Sequence, residues 1–236
     1  MNDSALSTAL DSVNRAAANP STFCRPFLEM FPVSGAAVST VGELLGSETV
    51  SASDAIAARV DELQFDLGEG PCWDAMKLGR PVLEPDLRTH PSTVWPAFSA
   101  AIQKEDVGSL FAFPLIVGAL RVGAVDLYTV DPVSLTPVQA QQAGTMAAAV
   151  GKHVLRRALN TIGGEYEDAG NAFSRRVVHQ ATGMVLAQLR VPGDDALLII
   201  QGQAFATGKT MMEIAEEIVE RRLSFHYGDN GIEVSG

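Results

Sequence analysis

The chain has 236 residues, 47% hydrophobic and 19% charged, enough apolar material for a buried core, which excludes wholesale disorder. Lys and Arg number 17 against 28 Asp and Glu, and the net charge of −11 disfavours non-specific coating of a phosphate backbone while leaving recognition of a particular RNA or DNA element open. Two cysteines, Cys24 and Cys72, are too few for a disulfide scaffold or an all-cysteine zinc site.

The first residues lack the basic and apolar regions of an export signal. The longest apolar run, 110–120, is broken by Pro114 and falls well short of the about 20 residues a membrane span needs. A cytoplasmic protein with reduced thiols is expected. Residues 4–18 place Leu6, Leu10, Val13 and Ala17 three or four apart, which predicts a short amphipathic helix stopped by Asn19-Pro20. From Gly35 to Tyr128 the pattern is α+β. Residues 36–41 and 48–51 read as strands. Residues 55–65 read as a helix with Ile56, Val60 and Leu63 on one face. Gly68, Gly70 and Pro71 form a turn before a short helix over 72–78, and Val82-Leu83 is a brief strand. A helix over 95–104 precedes two strand-like runs, 109–117 and 122–130, that read as a hairpin in a mainly antiparallel sheet.

Thr136-Pro137-Val138-Gln139 has the form of a capping box and opens a long helix to about Leu159. Its stripe of Ala143, Met146, Ala147, Val150, Val154 and Leu155 suits packing on the sheet or on the same stripe of a second subunit. Residues 163–171, rich in glycine and acids, read as a linker. Three helices follow, over 172–189, 195–205 and from the capping box at Thr210 and Glu213. Met211, Ile214, Ala215, Ile218 and Val219 share one face of the last. The predicted organisation is an N-terminal helix (1–21), a sheet domain (22–155), a helix end and linker (156–171), a three-helix bundle (172–225) and a flexible tail (226–236). A bundle this small is marginal alone and is expected to lean on the long helix or a partner chain.

Catalytic signals are weak. Gly68-Glu69-Gly70 lacks a third glycine, and the P-loop spacing of Gly118 and Gly123 is followed by Ala124-Val125 where Lys-Ser/Thr belongs. The histidines His90, His153, His179 and His226 are scattered. Cys72, near a helix start, is either a lowered-pKa thiol or a small buried apolar residue. Trp73, Trp95 and Phe98 suit the wall of a ligand cavity or the core. In the bundle, Arg175, Arg176, Arg190, Lys209, Arg221 and Arg222 are balanced by Asp194, Asp195, Glu213, Glu216, Glu217 and Glu220. Arg175-Arg176 is the strongest local cationic patch, and RNA loops can be read by shape and hydrogen bonding with few charges.

Two stretches resemble known families. Leu67-Gly68-Glu69-Gly70-Pro71-Cys72, Gly79-Arg80-Pro81-Val82, Asp86-Leu87, Trp95-Pro96-Ala97-Phe98, Ala112-Phe113-Pro114-Leu115 and Gly123-Ala124-Val125-Asp126-Leu127-Tyr128 resemble a GAF domain of the kind found in actinobacterial regulators. Ser174-Arg175, Gln180-Ala181-Thr182-Gly183, Ile200-Gln201 with Ala204, and Ile214-Ala215 with Ile218-Val219 resemble an ANTAR domain. The resemblance implies a GAF-type antiparallel sheet flanked by helices, joined by the long helix to a three-helix RNA-binding antiterminator module. It also implies a homodimer through the long helix, a hairpin pair in a nascent transcript as partner, and an unidentified small-molecule signal. No cofactor is identified and no membrane partner is expected.

The candidate RNA-binding residues are Arg175, Arg176, Gln180, Thr182, Gly183, Gln201 and Lys209, of which Arg175, Gln180, Gly183 and Lys209 keep positions of the resemblance; the candidate sensor-ligand residues are Cys72, Trp73, Asp86, Trp95 and Phe98. Thr182 and Gln201 stand where the ANTAR family has lysine and arginine, so two positive charges are lost. The alternative reading is a ligand-sensing or protein-binding module without RNA contact. Methionine sulfoxide reduction, known in some GAF proteins, would need a cysteine set that Cys24 and Cys72 do not supply. A DNA-binding helix-turn-helix is disfavoured by the apolar and acidic start of the last helix.

Overall fold

The computed structural model describes residues 3–41, 45–161, 175–228 and 231–235. They fall into two units, Met1–Phe173 and Ser174–Gly236. The predicted linker at 163–171, the first residues of the bundle and Ser174 lie outside the described residues.

The N-terminal unit begins with α1 (Asp3–Ala16), a 3-10 turn (Pro20–Thr22) and α2 (Arg25–Met30). Next come β1 (Gly35–Thr40), β2 (Glu48–Ala52), α3 (Ala55–Leu67), α4 (Pro71–Leu78) and β3 (Val82–Glu84). It closes with α5 (Pro96–Ile102), β4 (Ser109–Val117), β5 (Leu120–Thr129) and α6 (Pro137–Thr161). The five strands pair antiparallel in the order β2-β1-β5-β4-β3. Each predicted helix and strand of this unit is present with ends shifted by a few residues. The 3-10 turn and α2 are additional; α2 is too short to show a helical period. The β4–β5 turn is tighter than expected, because Val117 and Leu120 already pair across Gly118-Ala119.

Side-chain alternation sorts the sheet into two unlike faces. Phe111, Phe113, Leu115, Val125 and Leu127 share one buried cluster with residues of α1, α2 and α6. The stripe of α6 is consumed here: Ala143, Met146, Ala147 and Val150 are 0% exposed and Val154 6%. Of the two uses expected for this stripe, packing on the chain's own sheet is the one the structure shows. Helix α1 shares this cluster through Ala9 and Val13, so it belongs to the sheet unit's core. Each large side chain buried this way stabilises by about 1.5–3 kcal/mol.

The opposite face is mixed: Leu110 and Tyr128 pack in an apolar cluster with Val60, Leu63, Phe98 and Ile102, while small and polar residues lie beneath α4 and the end of α3. Asp126 pairs across the sheet with Ala37 and Ala112, so its carboxyl stands between two short side chains beneath α3 and α4. The Gln64 side chain of α3 donates from Nε2 to Asp126 Oδ2 at 2.6 Å and accepts at Oε1 from the Cys72 backbone N–H at 2.8 Å. The turn that makes this possible needs a glycine: Gly70 has φ +128°, and a Cβ there would lie 2.7 Å from Gln64. Nearby, the Thr49 hydroxyl donates to the buried Asp61. Burial, reinforced by the Asp61 charge, pushes the Asp126 carboxyl up to about 8. Asp126 Oδ1 has no hydrogen-bond partner among the described residues.

The C-terminal unit contains α7 (Arg176–Leu189), α8 (Gly193–Thr207) and α9 (Met211–Val219). Helix α7 packs on both others, burying Val178, Ala181, Val185 and Leu189. The predicted capping box is complete, with Thr210 and Glu213 each bonding the other's backbone. The expectation of a frayed tail is corrected. Strands β6 (Ser224–Gly228) and β7 (Gly231–Ser235) form a hairpin, pairing Phe225 with Val234, His226 with Glu233 and Tyr227 with Ile232. The alternation of apolar and polar residues in 225–234 is the signal that its overall polarity masked. Phe225 is buried, and its N–H donates to the Gln188 side chain at 2.9 Å. The hairpin is therefore anchored to the bundle through Phe225, while β7 is exposed along its length.

Asp126 makes the N-terminal unit pH-sensitive. Its folded-state pKa lies above the unfolded one, so stability present below about pH 4 is progressively lost as pH rises toward 8, then levels off. Asp126→Asn keeps the acceptor for Gln64 and removes the titration. The variant's melting temperature is expected to decline less between pH 4 and 8 than the wild type's in thermal scans; parallel declines would contradict the assignment.

Candidate nucleic-acid interface and sensor groove

In the N-terminal unit, a groove of about 440 Å³ opens beside β3, one of the two edge strands of the sheet. Its charged wall is Arg80, Asp74 and Glu84, and its apolar wall includes Val82, Val94 and Trp95. Burial raises the Glu84 carboxyl, and Trp95 Nε1 donates to Asp74 Oδ2 at 3.2 Å. The residue types suit a small ligand with both charged and flat apolar parts. A second void, beneath Asp126 and Tyr128, has no room for a water molecule.

The five candidate sensor-ligand residues are not brought together. Trp95 alone lines the groove. Cys72 is 2% exposed and packs with Ala75, Ala112 and Ala124, so the small-apolar reading of this thiol holds. Trp73 is half-buried, and its Nε1 donates to the Gln64 carbonyl at 2.6 Å. Phe98 is 0% exposed in the cluster beneath α3 and α5. Asp86 closes a local turn instead: it accepts from the Arg88 and Thr89 backbones, from the Thr89 hydroxyl and from His90. Those bonds, the Thr89 hydroxyl first, hold its carboxyl at about 2. Asp74, Arg80 and Glu84 were not singled out from the sequence; Arg80 sits in a matched motif, but only the strand-edge geometry gathers the three.

In the C-terminal unit the electrostatics are concentrated on α7. The chain carries 28 acidic residues, yet α7 (RVVHQATGMVLAQL) has none. Arg176, Gln180, Gly183 and Ala187 recur at three- and four-residue spacing and are all exposed, so they form one solvent-facing stripe with His179 beside it. At 1.5 Å per residue the stripe spans about 16 Å. Such a face offers one cation and several hydrogen-bonding groups without a carboxylate to repel phosphate.

The candidate RNA-binding residues divide. Arg176, Gln180 and Gly183 lie on the stripe. Arg175 is 5% exposed and is therefore corrected from a surface contact to a buried cation at the start of α7. Thr182 is half-buried, and its hydroxyl donates to the Val178 carbonyl at 2.8 Å, so that donor is turned inward. Gln201 is half-buried on α8. Lys209 is exposed but pairs with Glu217 at 2.7 Å, which offsets its charge.

Helix α8 differs from α7 in kind. It is apolar around much of its circumference, and Leu198 and Phe205 remain 61% and 70% exposed two turns apart. The glycines of these helices are not packing devices: a Cβ at Gly183 or Gly202 would meet nothing within 4 Å. Gly183→Ala and Gly202→Ala are each expected to stabilise by about 0.5–1 kcal/mol in denaturant titrations, through helix propensity alone. Destabilisation would show that the open space is absent.

Comparison with known proteins follows these two halves. A family model described as a GAF domain matches residues 4–154, and one described as an ANTAR domain matches 172–219. Among solved structures, the GAF domain of an Acinetobacter phosphoenolpyruvate-protein phosphotransferase is 10% identical, covering 71% of this chain and 100% of that one at a TM-score of 0.52. The GAF domain of the corresponding Coxiella burnetii protein is 12% identical, covering 69% of this chain and 99% of that one at a TM-score of 0.51. At these identities the likeness shows the fold. No curated protein matches the chain. No helix among the described residues is long and apolar enough to cross a membrane. The α+β sheet unit flanked by helices, the helical unit behind it and the two family matches together make this chain a member of the GAF family that carries an ANTAR domain as its C-terminal part: a sensory domain joined to an RNA-binding regulatory one.

Proposed function

We propose that the chain is a cytoplasmic, signal-responsive transcription regulator. Its C-terminal unit binds a hairpin pair in nascent transcripts and prevents termination, and its GAF unit adjusts that activity through a small molecule held in the β3 groove. The observation that carries the RNA reading is the carboxylate-free exposed face of α7 within the segment that matches an ANTAR domain. The loss of family cations at Thr182 and Gln201 makes the contact leaner in charge and places more weight on hydrogen bonds from Gln180 and backbone-close approach at Gly183. The role is regulatory rather than catalytic, in keeping with Cys72 serving as core packing. A homodimer remains part of the proposal, with contacts other than the buried stripe of α6.

A second reading, protein binding without RNA, is favoured by one observation, the exposed Leu198 and Phe205 of α8. Titration of the full chain into a fluorescent RNA of two tandem stem-loops separates the readings. The RNA reading predicts saturable binding whose affinity falls about 3.5-fold, for each phosphate engaged, between about 50 and about 200 mM salt. No binding at the lower salt, together with a protein recovered on the isolated full chain through Leu198 and Phe205, would favour the second.

A further inference from the structure

Five helices of this chain end on a residue in the left-handed backbone region at or just beyond the last turn. Three of those residues are glycines, Gly68, Gly79 and Gly208, with φ of +62°, +67° and +66°. Glycine is the residue that this conformation favours. The other two are arginines: Arg190 after α7 at φ +58° and Arg221 after α9 at φ +60°. They are the non-glycine residues with positive φ among the described residues.

The same two stand apart electrostatically. Of the six Lys and Arg in the C-terminal unit, Lys209 and Arg222 are held by Glu217 and Glu220, Arg175 is buried, and Arg176 has a partner. Arg190 and Arg221 are exposed and make no side-chain hydrogen bond or ion pair with any described residue. Each is a long cationic side chain in the left-handed backbone region that favours glycine, with no side-chain partner among the described residues.

Their placement is also shared. Helices α7 and α9 pack on one another, and the Phe225 N–H bond to Gln188 returns the chain after α9 to the last turn of α7. Both arginines therefore lie at one end of the unit. Arg190 is exposed and directly follows the last residue of α7, so a second cation stands at the C-terminal end of the helix whose carboxylate-free stripe begins at Arg176.

We propose that Arg190 and Arg221 contact backbone phosphates of the RNA bound along α7, supplying the charge that Thr182 and Gln201 lack. This rests on the RNA reading given above. The contacts are sequence-independent: they position the RNA and set affinity and salt dependence, while α7 side chains read its bases or shape.

The competing structural role is a cation stabilising a helix C-terminus through the macrodipole. Glycine substitution separates the two, because glycine suits the backbone and removes the charge. The experiment titrates the full-length wild type, Arg190→Gly, Arg221→Gly and Arg190→Lys into the tandem stem-loop RNA across a salt series, with melting temperatures in parallel. Each glycine variant is expected to keep or raise its melting temperature and to lose about fivefold in affinity at about 0.15 M salt, its log–log salt slope shrinking by about 0.7–0.9. Arg190→Lys should retain most of the affinity and the slope. A wild type that binds, with glycine variants of unchanged slope, overturns this assignment alone. Glycine variants that melt lower at unchanged slope identify helix caps and overturn it as well. A wild type that binds no RNA at low salt overturns the RNA reading and this assignment with it.

Discussion

Both faces of the five-stranded sheet are covered by helices of the same unit, and the two coverings are unequal. Large side chains on β4 and β5 meet α1, α2 and α6, while Ala112 and Ala124 let α4 approach the other face closely. That asymmetry leaves space for Asp126, the buried carboxyl joined to Gln64 and through it to the first turn of α4. One face is thus an apolar core throughout. The other combines a second apolar cluster around Phe98 and Leu110 with the buried Asp126–Gln64 pair, whose hydrogen bonding in a low-dielectric site is coupled to its protonation.

The consumption of the α6 stripe has a further consequence. A helix whose apolar side is already buried transmits little through that side, so any association of two chains must use other surfaces. In the C-terminal unit the division is between helices: α7 presents an exposed stripe free of carboxylates, whereas α8 exposes Leu198 and Phe205. An acidic chain that binds RNA has to concentrate its few unneutralised cations, and Arg190 and Arg221, at one end of the unit, are exposed cations without an ion pair among the described residues.

Much of this was legible in the sequence because it rests on period and punctuation. The capping boxes at Thr136 and Thr210, the glycine turns at Gly68 and Gly79, and the apolar face of α9 each fix an element locally. The hairpin at the C-terminus was hidden because a short alternating run dominated by polar residues resembles a frayed tail until a partner strand is identified. The site was less legible than the fold. Asp86 and Phe98 match family positions, but one is spent on its own turn and the other is packed in the core. Arg175 pairs with Arg176 in sequence yet is buried, since adjacent helical positions face different directions. Exposure and backbone conformation, which single out Arg190 and Arg221, depend on tertiary contacts that no local pattern encodes.

The central claim, that RNA lies along the carboxylate-free face of α7, is tested most directly by ultraviolet crosslinking of the full chain to the tandem stem-loop RNA, followed by mass-spectrometric mapping of the crosslinked peptides. The account predicts crosslinks within 176–190 and around Arg221, lost at high salt. Crosslinks confined to α8, or to the N-terminal unit, would contradict it.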